Sequence, residues 1–479
     1  MATLQDIAFV GRSGLTAQQQ LMSNVSQNLA NAGTKGYHRR ITLLTIGPDQ
    51  SASIDSTNKV LNWGGVAIGD TTRVYNDTQE SMLRGEQSNE EYHTQKGAAL
   101  NDLQSLLNGS GTTSLDTQLQ TFWSGWQAVA NNPTDVGARG ALIENGASLA
   151  GTFQDLSQRL TEYRNGLASV DGSGNPTGTI PDVVTQINTL AGQIQTLNNR
   201  LSTSGPTNKA FDLKDQRNNL LSDLSKLTDI SVASDGTVSL DGQMLVSGNG
   251  QTLNTLVTAT TTGPVTFTLG GTVVSPTSGS LAAWADAAAA VDAASSNMDI
   301  LANTLMTNVN TLHASGFDLD GNPASAFFTG TDASTIAVNT TIHDPAHPNN
   351  DTPRAIAAAA TQAGAGLPNA ADGKLAQQIV NLATTTFPTL NGETLSGQYN
   401  NQLAKIGTAI NSEKQSTTSS TNVVQMLTNS IQQESGVNTD EEMINMITSQ
   451  RAYQAAAKVV ATTNEMMSTV LALVSPSTG

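Results

Sequence analysis

The sequence predicts a mainly α-helical protein with a small β insert, in which both chain ends form one rod of paired helices. Helical apolar spacing occurs at both termini and returns through most of the interior, whereas a spacing of two replaces it between about residues 230 and 275. We therefore expect three domains. They are a discontinuous terminal domain (1–39 and 436–479), an extended connector with a mainly helical domain (40–228 and 280–435), and a β insert domain (229–279).

The C-terminal helix is predicted to begin just after Gly436. Thr439 is expected as its N-cap residue, Glu442 completes a capping box, and Pro476 ends the helix. Apolar residues recur three and four positions apart along it, with two polar interruptions: Met443, Met446, Tyr453, Ala457, Val460, Met467, Leu471 and Val474. A seam of this length needs a partner helix, and we expect much of it to contact other chains as a subunit interface.

The N-terminal helix carries a matching seam. Its apolar positions follow the same alternation, before the helix closes at Gly33: Leu4, Ala8, Leu15, Met22, Val25 and Leu29. Pairing of the two helices would build a coiled-coil rod from both chain ends. The alternative is that each is an amphipathic helix packed inside one globular core, because both seams contain Ala, Gly, Gln and Asn where a stable free-standing coiled coil has Leu or Ile.

Interior helices are predicted at about 77–107, 115–130, 134–165, 181–204, 209–228, 281–313, 372–386 and 394–434, after a mostly extended connector at 40–75. Trp123 and Trp126 share one helix face and are expected as core anchors. Short strands separated by Asp-Gly and Asn-Gly turns predict the β insert, and 335–343 reads as another strand. Because the insert has its own period, we expect its deletion to leave the helices folded.

Composition argues against several functional classes. The 479 residues carry a net charge of −17, so we expect no nucleic-acid partner and no membrane insertion. The chain has no cysteine, which excludes disulfides, thiol catalysis and cysteine-ligated metals. The first thirty residues lack the basic start and continuous apolar core of a secretory signal.

Two polar motifs have some features of a metal site. His343 and His347 have the spacing of a helical zinc pair, but Pro345 and Pro348 prevent that helix. The segment DLDGN at 318–322 lacks the glutamate that closes a calcium loop, so a β-turn is expected. We therefore predict no metal, no cofactor and no enzymatic activity.

Motifs at the two chain ends resemble those of one family. The segment SQNLANAGTKGYHR at 26–39 resembles the N-terminal motif of the bacterial flagellar rod, hook and hook-associated proteins, and QRAYQAAAKV at 450–459 resembles their C-terminal motif. Within that family, SGVNTDEEM at 435–443 and HASGFDLDGN at 313–322 are similar to the hook-associated members at the hook–filament junction.

The resemblance implies a secreted structural adaptor, exported by the flagellar type III apparatus, that joins the hook to the filament. Its implied partners are copies of itself in a ring, the hook protein, the next hook-associated protein (type 3) towards the filament, and an export chaperone at the C-terminal helix. Two alternatives are a hook or rod structural subunit, and a soluble secreted oligomeric binding module or adhesin.

Overall fold

The computed structural model describes residues 4–47, 64–109, 114–204, 208–260, 263–347, 351–362 and 371–474. The helices are α1 (Leu4–Ala30), α2 (Asp77–Asn108), α3 (Leu115–Asn131), α4 (Val136–Leu167), α5 (Thr179–Thr203), α6 (Asn208–Leu227), α7 (Gly279–His313), α8 (Lys374–Asn381), α9 (Leu395–Ser435) and α10 (Thr439–Val474). The predicted fold class, mainly helical with a small β insert, is confirmed.

The strands are short and pair antiparallel. β1 (Arg40–Ile46) pairs with β2 (Val66–Arg73), β3 (Ser169–Val170) with β4 (Pro176–Thr177), and β11 (Phe328–Thr329) with β12 (Ala337–Val338). The insert has two three-stranded sheets, built from β5 (Ser231–Val232), β6 (Val238–Leu240) and β7 (Gln243–Val246), and from β8 (Leu256–Thr260), β9 (Thr266–Leu269) and β10 (Thr272–Val274). The strand predicted at 335–343 is only the two-residue β12, because Asn339 accepts a hydrogen bond from the Thr341 N–H and turns the chain.

The two terminal helices pack against each other in opposite directions. Gly11 of α1 faces Val460 of α10, and Gly14, further along α1, faces Ala456, which comes earlier on α10. The predicted pairing of the chain ends is therefore confirmed. The β1–β2 hairpin packs on α1, and we call α1, β1, β2 and α10 the terminal unit. Residues 48–63 of the predicted connector lie outside the described residues.

The start of α10 differs from the prediction. The Asn438 side-chain oxygen accepts hydrogen bonds from the N–H groups of Asp440 (3.1 Å) and Glu441 (3.4 Å), so Asn438 rather than Thr439 is the N-cap. Glu442 does not complete a capping box at this end. Its side chain is only 4% exposed and faces Asn28, because α1 packs over the first turn of α10.

The other helices form a body with one continuous hydrophobic core. α2 pairs with α9 along their lengths, α3 with α4, and α5 with α6, while α7 contacts α2, α4, α5, α6 and α8. Trp126 is fully buried and Trp123 is 7% exposed, as predicted for core anchors. Phe327 packs on Trp126 with ring centroids 5.5 Å apart, which brings the segment after α7 into the same core.

The structure argues against an independent β insert. Apolar side chains of its strands, including Val246, Leu256 and Phe267, belong to the same core cluster as those of α5 and α7. Two asparagines of α5 also satisfy its backbone: Asn188 bonds both polar groups of Leu256, and Asn198 donates to Gly236 and Ser247 carbonyls. Deletion of the insert would therefore expose part of the helical core, and the three-domain division remains a proposal.

Candidate assembly interface

The contact between α1 and α10 covers only part of the predicted C-terminal seam. The half-buried seam residues are Met446, Tyr453, Ala457, Val460 and Met467, as the apolar spacing indicates. The most buried described positions of α10 are polar: Glu442, Ser449 and Thr463 are 4%, 6% and 3% exposed. These residues lie one position before Met443 and before Gln450 and Asn464, the two polar interruptions of the predicted seam. They therefore follow the same alternation of three and four. Apolar spacing could not identify them because their side chains are polar.

The N-terminal seam lies where it was predicted. Ala8 and Val25 are buried, and Leu4, Leu15, Met22 and Leu29 are half-buried. A second buried face of α1, with Asn24 and Asn28, is directed at the hairpin. Asn28 donates to the Arg40 carbonyl and accepts from the Arg40 N–H, both at 3.0 Å, so this asparagine pairs with β1 as a neighbouring strand would. The helix α1 is thus covered on two sides within the chain.

The outer faces of the terminal unit are apolar and exposed. Met443 is 52% and Leu471 is 65% exposed, and the Val474 side chain lies outside the described residues. Most of the large apolar side chains that are exposed in the described part of the chain belong to this unit: Ile7, Phe9, Val10, Ile41, Leu43, Leu44, Ile46, Val66, Ile68, Met443, Ile444, Ile447, Val459, Met466, Val470 and Leu471. A surface of this composition is typical of a contact with other proteins.

Buried charges, rather than apolar side chains, attach the terminal unit to the body. We call His38, Arg40, Arg73, Glu80 and Asp215 the joint. The His38 Nδ1 atom lies 2.9 Å from Asp215 Oδ1, its Nε2 atom lies 3.1 Å from Glu80 Oε1, and Arg73 Nε lies 2.7 Å from the same Asp215 oxygen. Arg40 contacts Asp212 and Asp215 on the same helix, α6. No described residue of the terminal unit belongs to the core cluster of the body.

His38 is placed to carry a positive charge in the joint. Both of its ring nitrogens face carboxylate oxygens, and an imidazole donates from both nitrogens only when it is protonated. Burial and the charge of Arg73, whose Nη2 atom lies 3.1 Å from His38 Nδ1, lower the pKa of His38. The interactions with Asp215 and Glu80 outweigh both effects, so the pKa is raised above its ordinary value. Sequence reasoning missed this role. The only signal was the basic run at 38–40, directly after the N-terminal helix.

The motif segments of the two chain ends contact each other beside the joint. The Arg39 N–H donates to the Ser435 carbonyl at 2.8 Å, and the Arg39 guanidinium lies 3.5 Å from Glu441. The Tyr37 hydroxyl donates to Asn28, and burial raises the pKa of Tyr37 to about 12. The structure therefore brings together residues that lie about 400 positions apart in sequence.

The internal motif at 313–322 has a packing role in the body. The His313 Nδ1 atom lies 2.6 Å from the Ser325 carbonyl oxygen, and Nε2 accepts from the Ala357 N–H at 2.9 Å. Burial lowers the pKa of His313 to about 4, so the neutral ring joins two loops. A Cβ atom at Gly316 would overlap Leu375 Cδ2 and lie 2.9 Å from the Ala359 carbonyl oxygen, so glycine is needed where the chain passes α8.

Residues with the chemistry of metal ligands come together once in the described ranges. Glu144, His343 and Asp351 place ligand atoms within 4.8 Å of one another. Hydrogen bonds account for this arrangement, because Asp351 accepts from His343 and from the Asp344 N–H, and we assign no metal. The predicted partner His347 pairs with Asp344 instead. No helix in the part of the chain that the structure describes has both the length and the apolar character to cross a bilayer.

Several known flagellar proteins are similar to this chain in sequence. A family model described as the flagellar hook-associated protein FlgK helical domain matches residues 100–328, and one described as the flagellar basal body rod FlgEFG protein C-terminal matches residues 429–473. Flagellar hook-associated protein 1 of Bacillus subtilis is 27% identical over 512 residues, which cover 96% of each chain. The protein of that name from Salmonella typhimurium is 30% identical over 226 residues, which cover 46% of this chain and 38% of the relative.

A solved structure supports the fold independently. The flagellar hook junction protein FlgK from Burkholderia pseudomallei superimposes with a TM-score of 0.58 at 18% identity, and the match covers 74% of this chain and 99% of that one. The helical-domain match covers the end of α2, the insert and the helices α3 to α7, and the rod-family match covers the end of α9 and nearly all of α10. The chain is therefore similar in sequence and in fold to flagellar hook-associated protein 1, as the motifs at its ends predict.

Proposed function

We propose that this chain is the structural adaptor subunit that joins the flagellar hook to the filament, and that it acts outside the cell at the hook–filament junction. The main support is that most of the exposed large apolar side chains among the described residues lie in the terminal unit. This unit also contains the C-terminal motif shared with the flagellar rod family. Exposed apolar surface of this extent is stabilised when neighbouring proteins cover it.

The partners of this surface are proposed from the family. Copies of the chain pack side by side in a ring through α1 and α10, using the predicted seam residues together with the exposed apolar residues beside them. The hook protein contacts one end of the ring, and the next hook-associated protein, of type 3, contacts the other. An export chaperone covers the C-terminal helix before assembly.

Polar residues inside the helix pair suit a subunit that is exported before it assembles. Glu442, Ser449 and Thr463 occupy positions where a stable coiled coil has Leu or Ile, so the pair is weak in isolation. Neighbouring copies then supply the missing stabilisation by mass action. The match to the hook-associated helical domain favours this role over a hook or rod subunit or an adhesin.

We also propose that the chain has no catalytic role. The five histidines are each held by protein groups: His38, His313 and His343 as described above, His93 by Glu413, and His347 by Asp344. Each of these rings therefore has a structural partner in the folded chain. These interactions stabilise the joint, α2 against α9, and the loops after α7.

The test compares Val460→Asp with Thr462→Asp in a strain that lacks the native protein. Val460 is half-buried against Gly11, where a carboxylate loses part of the roughly 1.5–3 kcal/mol that full burial of a valine contributes and adds a desolvation cost. Thr462 is exposed on the same helix. We expect Val460→Asp cells, like the deletion strain, to show hooks without filaments by electron microscopy and to release flagellin. Thr462→Asp cells should keep their filaments.

Export is measured in parallel, so that a secretion defect is not mistaken for an assembly defect. Both variant subunits should appear in the culture medium or on the hook. Normal filaments and motility in the Val460→Asp strain would show that the seam does not carry the assembly contact. Filaments on the deletion strain would show that the chain is not the junction subunit.

A further inference from the structure

A polar cavity of about 700 Å³ lies where α2, α6 and the end of α5 meet the β5–β7 sheet. Four cationic side chains line it: Arg73, Arg84, Lys214 and Arg217. This concentration of positive charge contrasts with the net charge of −17 of the whole chain. Cations gathered in a cleft raise the local concentration of anions.

Several donors in the cavity lack acceptors. Arg84 is only 5% exposed, and it makes no hydrogen bond or ion pair with any other described residue. In the same ranges, Arg217 Nε and Asn218 Nδ2 are buried without an acceptor, although the Arg217 Nη1 atom donates to Asn198. Asn218 is 7% exposed. Buried donors of this kind are costly unless a partner satisfies them.

The cavity contains too little negative charge to balance these cations. Arg73 is paired with Asp215 in the joint, and Asp235 is occupied by the N–H and hydroxyl of Thr237. Asp77 also lines the cavity, but neither it nor Asp235 is within 4.0 Å of a cationic nitrogen among the described side chains. Two arginines and a lysine that form no close ion pair among the described residues therefore face the same space.

The cations also repel one another. Burial lowers the pKa of Arg217, and the charges of Arg73 and Arg84 lower it further, while Tyr75 and Asp77 oppose part of this shift. Partial burial lowers the pKa of Lys214, with Arg73 and Arg217 adding to the effect. An anion between them would reverse this repulsion and supply oxygen acceptors to the unpaired donors.

We propose that this cavity binds a small multivalent oxyanion of the phosphate class, held by Arg84, Lys214, Arg217 and Asn218. A group with three or more charged oxygens matches donors that arrive from two helices, whereas one carboxylate has only two oxygens. A carboxylate of a neighbouring subunit would offer related chemistry, and the test separates the two sources. Because the site lies between Arg73 of the terminal unit, the helical body and the insert, the anion would stabilise all three together.

The experiment uses the purified full-length chain, in its unassembled state, with inorganic phosphate as the probe. Thermal unfolding is followed at increasing phosphate, with sodium chloride adjusted to keep the ionic strength constant. We expect a saturable rise in Tm and a matching ³¹P NMR exchange broadening. Arg84→Gln should weaken the apparent affinity at least tenfold. Lys214→Gln should weaken it as well, and it guards against a folding defect because Lys214 is exposed.

The matched control is Arg159→Gln, which removes an exposed arginine of α4 that pairs with Asp155 far from the cavity in sequence. It should retain the full phosphate response. No response beyond the ionic-strength control, or equal responses in Arg84→Gln and Arg159→Gln, would overturn the proposal. The proposal would also be overturned if phosphate had no effect on the purified chain and the Arg84→Gln and Lys214→Gln subunits failed to assemble. A carboxylate of a neighbouring subunit would then be the occupant of the cavity.

Discussion

Gly11 of α1 packs so closely on Val460 of α10 that a Cβ atom at Gly11 would lie 2.7 Å from Val460 Cγ2. One turn further along α1, a Cβ atom at Gly14 would lie 3.7 Å from the Cβ atom of Ala456, which is an ordinary contact. The two terminal helices therefore approach through a glycine at one point and leave space for a methyl group at the next.

This difference predicts opposite effects for the same substitution at two sites. Replacing a helical glycine with alanine gains about 0.5–1 kcal/mol, and Gly14→Ala should keep that gain. At Gly11 the methyl group overlaps Val460, and overpacking costs about 1–3 kcal/mol, so Gly11→Ala should loosen the pair. Amide hydrogen exchange along α1 and α10 measures the effect. The double variant Gly11→Ala with Val460→Ala should recover protection, and equal exchange in the two single variants would contradict the contact.

The joint should make stability depend on pH above neutrality. The pKa of His38 in the folded chain is raised above 6.5 by its hydrogen bonds to Asp215 and Glu80, despite burial. The contribution of His38 to the free energy of unfolding is therefore complete below pH 6.5. It is lost as the pH rises through the pKa of His38 in the folded chain. The difference in the free energy of unfolding between the native chain and His38→Gln should shrink from pH 6 to pH 9. Asp215→Asn should flatten the profile too, and a pH-independent difference would exclude a charged His38.

His313 should act with the opposite sign. Burial lowers the pKa of His313 to about 4, below the ordinary value of 6.5. Because the unfolded chain binds the proton more readily, this contribution is complete above pH 6.5 and is lost as the pH falls towards 4, by about 1.4 kcal/mol per unit. Unfolding measured between pH 7 and 4 should show this loss, and His313→Gln should remove that slope. Titration of the native His313 ring near 6.5 by NMR would contradict the buried neutral state.

One buried asparagine contributes strongly to the attachment of the insert. Asn198 is fully buried, donates to the Gly236 and Ser247 carbonyls and accepts from Arg217, whereas its neighbour Asn199 is exposed. Asn198→Ala leaves these groups without a partner, so it should cost about 1–3 kcal/mol in the free energy of unfolding. Asn199→Ala is the control and should change it by less than about 0.5 kcal/mol. Equal effects in denaturant unfolding would show that the insert is held elsewhere.

Local sequence was sufficient for the elements and for the pairing of the chain ends. Apolar spacing placed α2 at 77–107, and the helix is Asp77–Asn108. This agreement is expected because helical periodicity depends only on residues three and four positions apart. The same spacing placed Met446, Tyr453, Val460 and Met467 on one face of α10, and all four are half-buried there. The motifs at 26–39 and 450–459 were enough to predict the similarity to the flagellar hook-associated proteins.

Tertiary structure alone decided which polar residues face inward. Glu442, Ser449 and Thr463 carry no apolar signal, and they are buried because α1 covers their side of α10. His38 and Asp215 lie 177 positions apart, so their pairing was invisible until α6 was placed beside the hairpin. The insert reads as a separate β unit, yet it shares the core of the helices. Periodicity records which way a side chain points on its own element, whereas burial depends on what packs against that element.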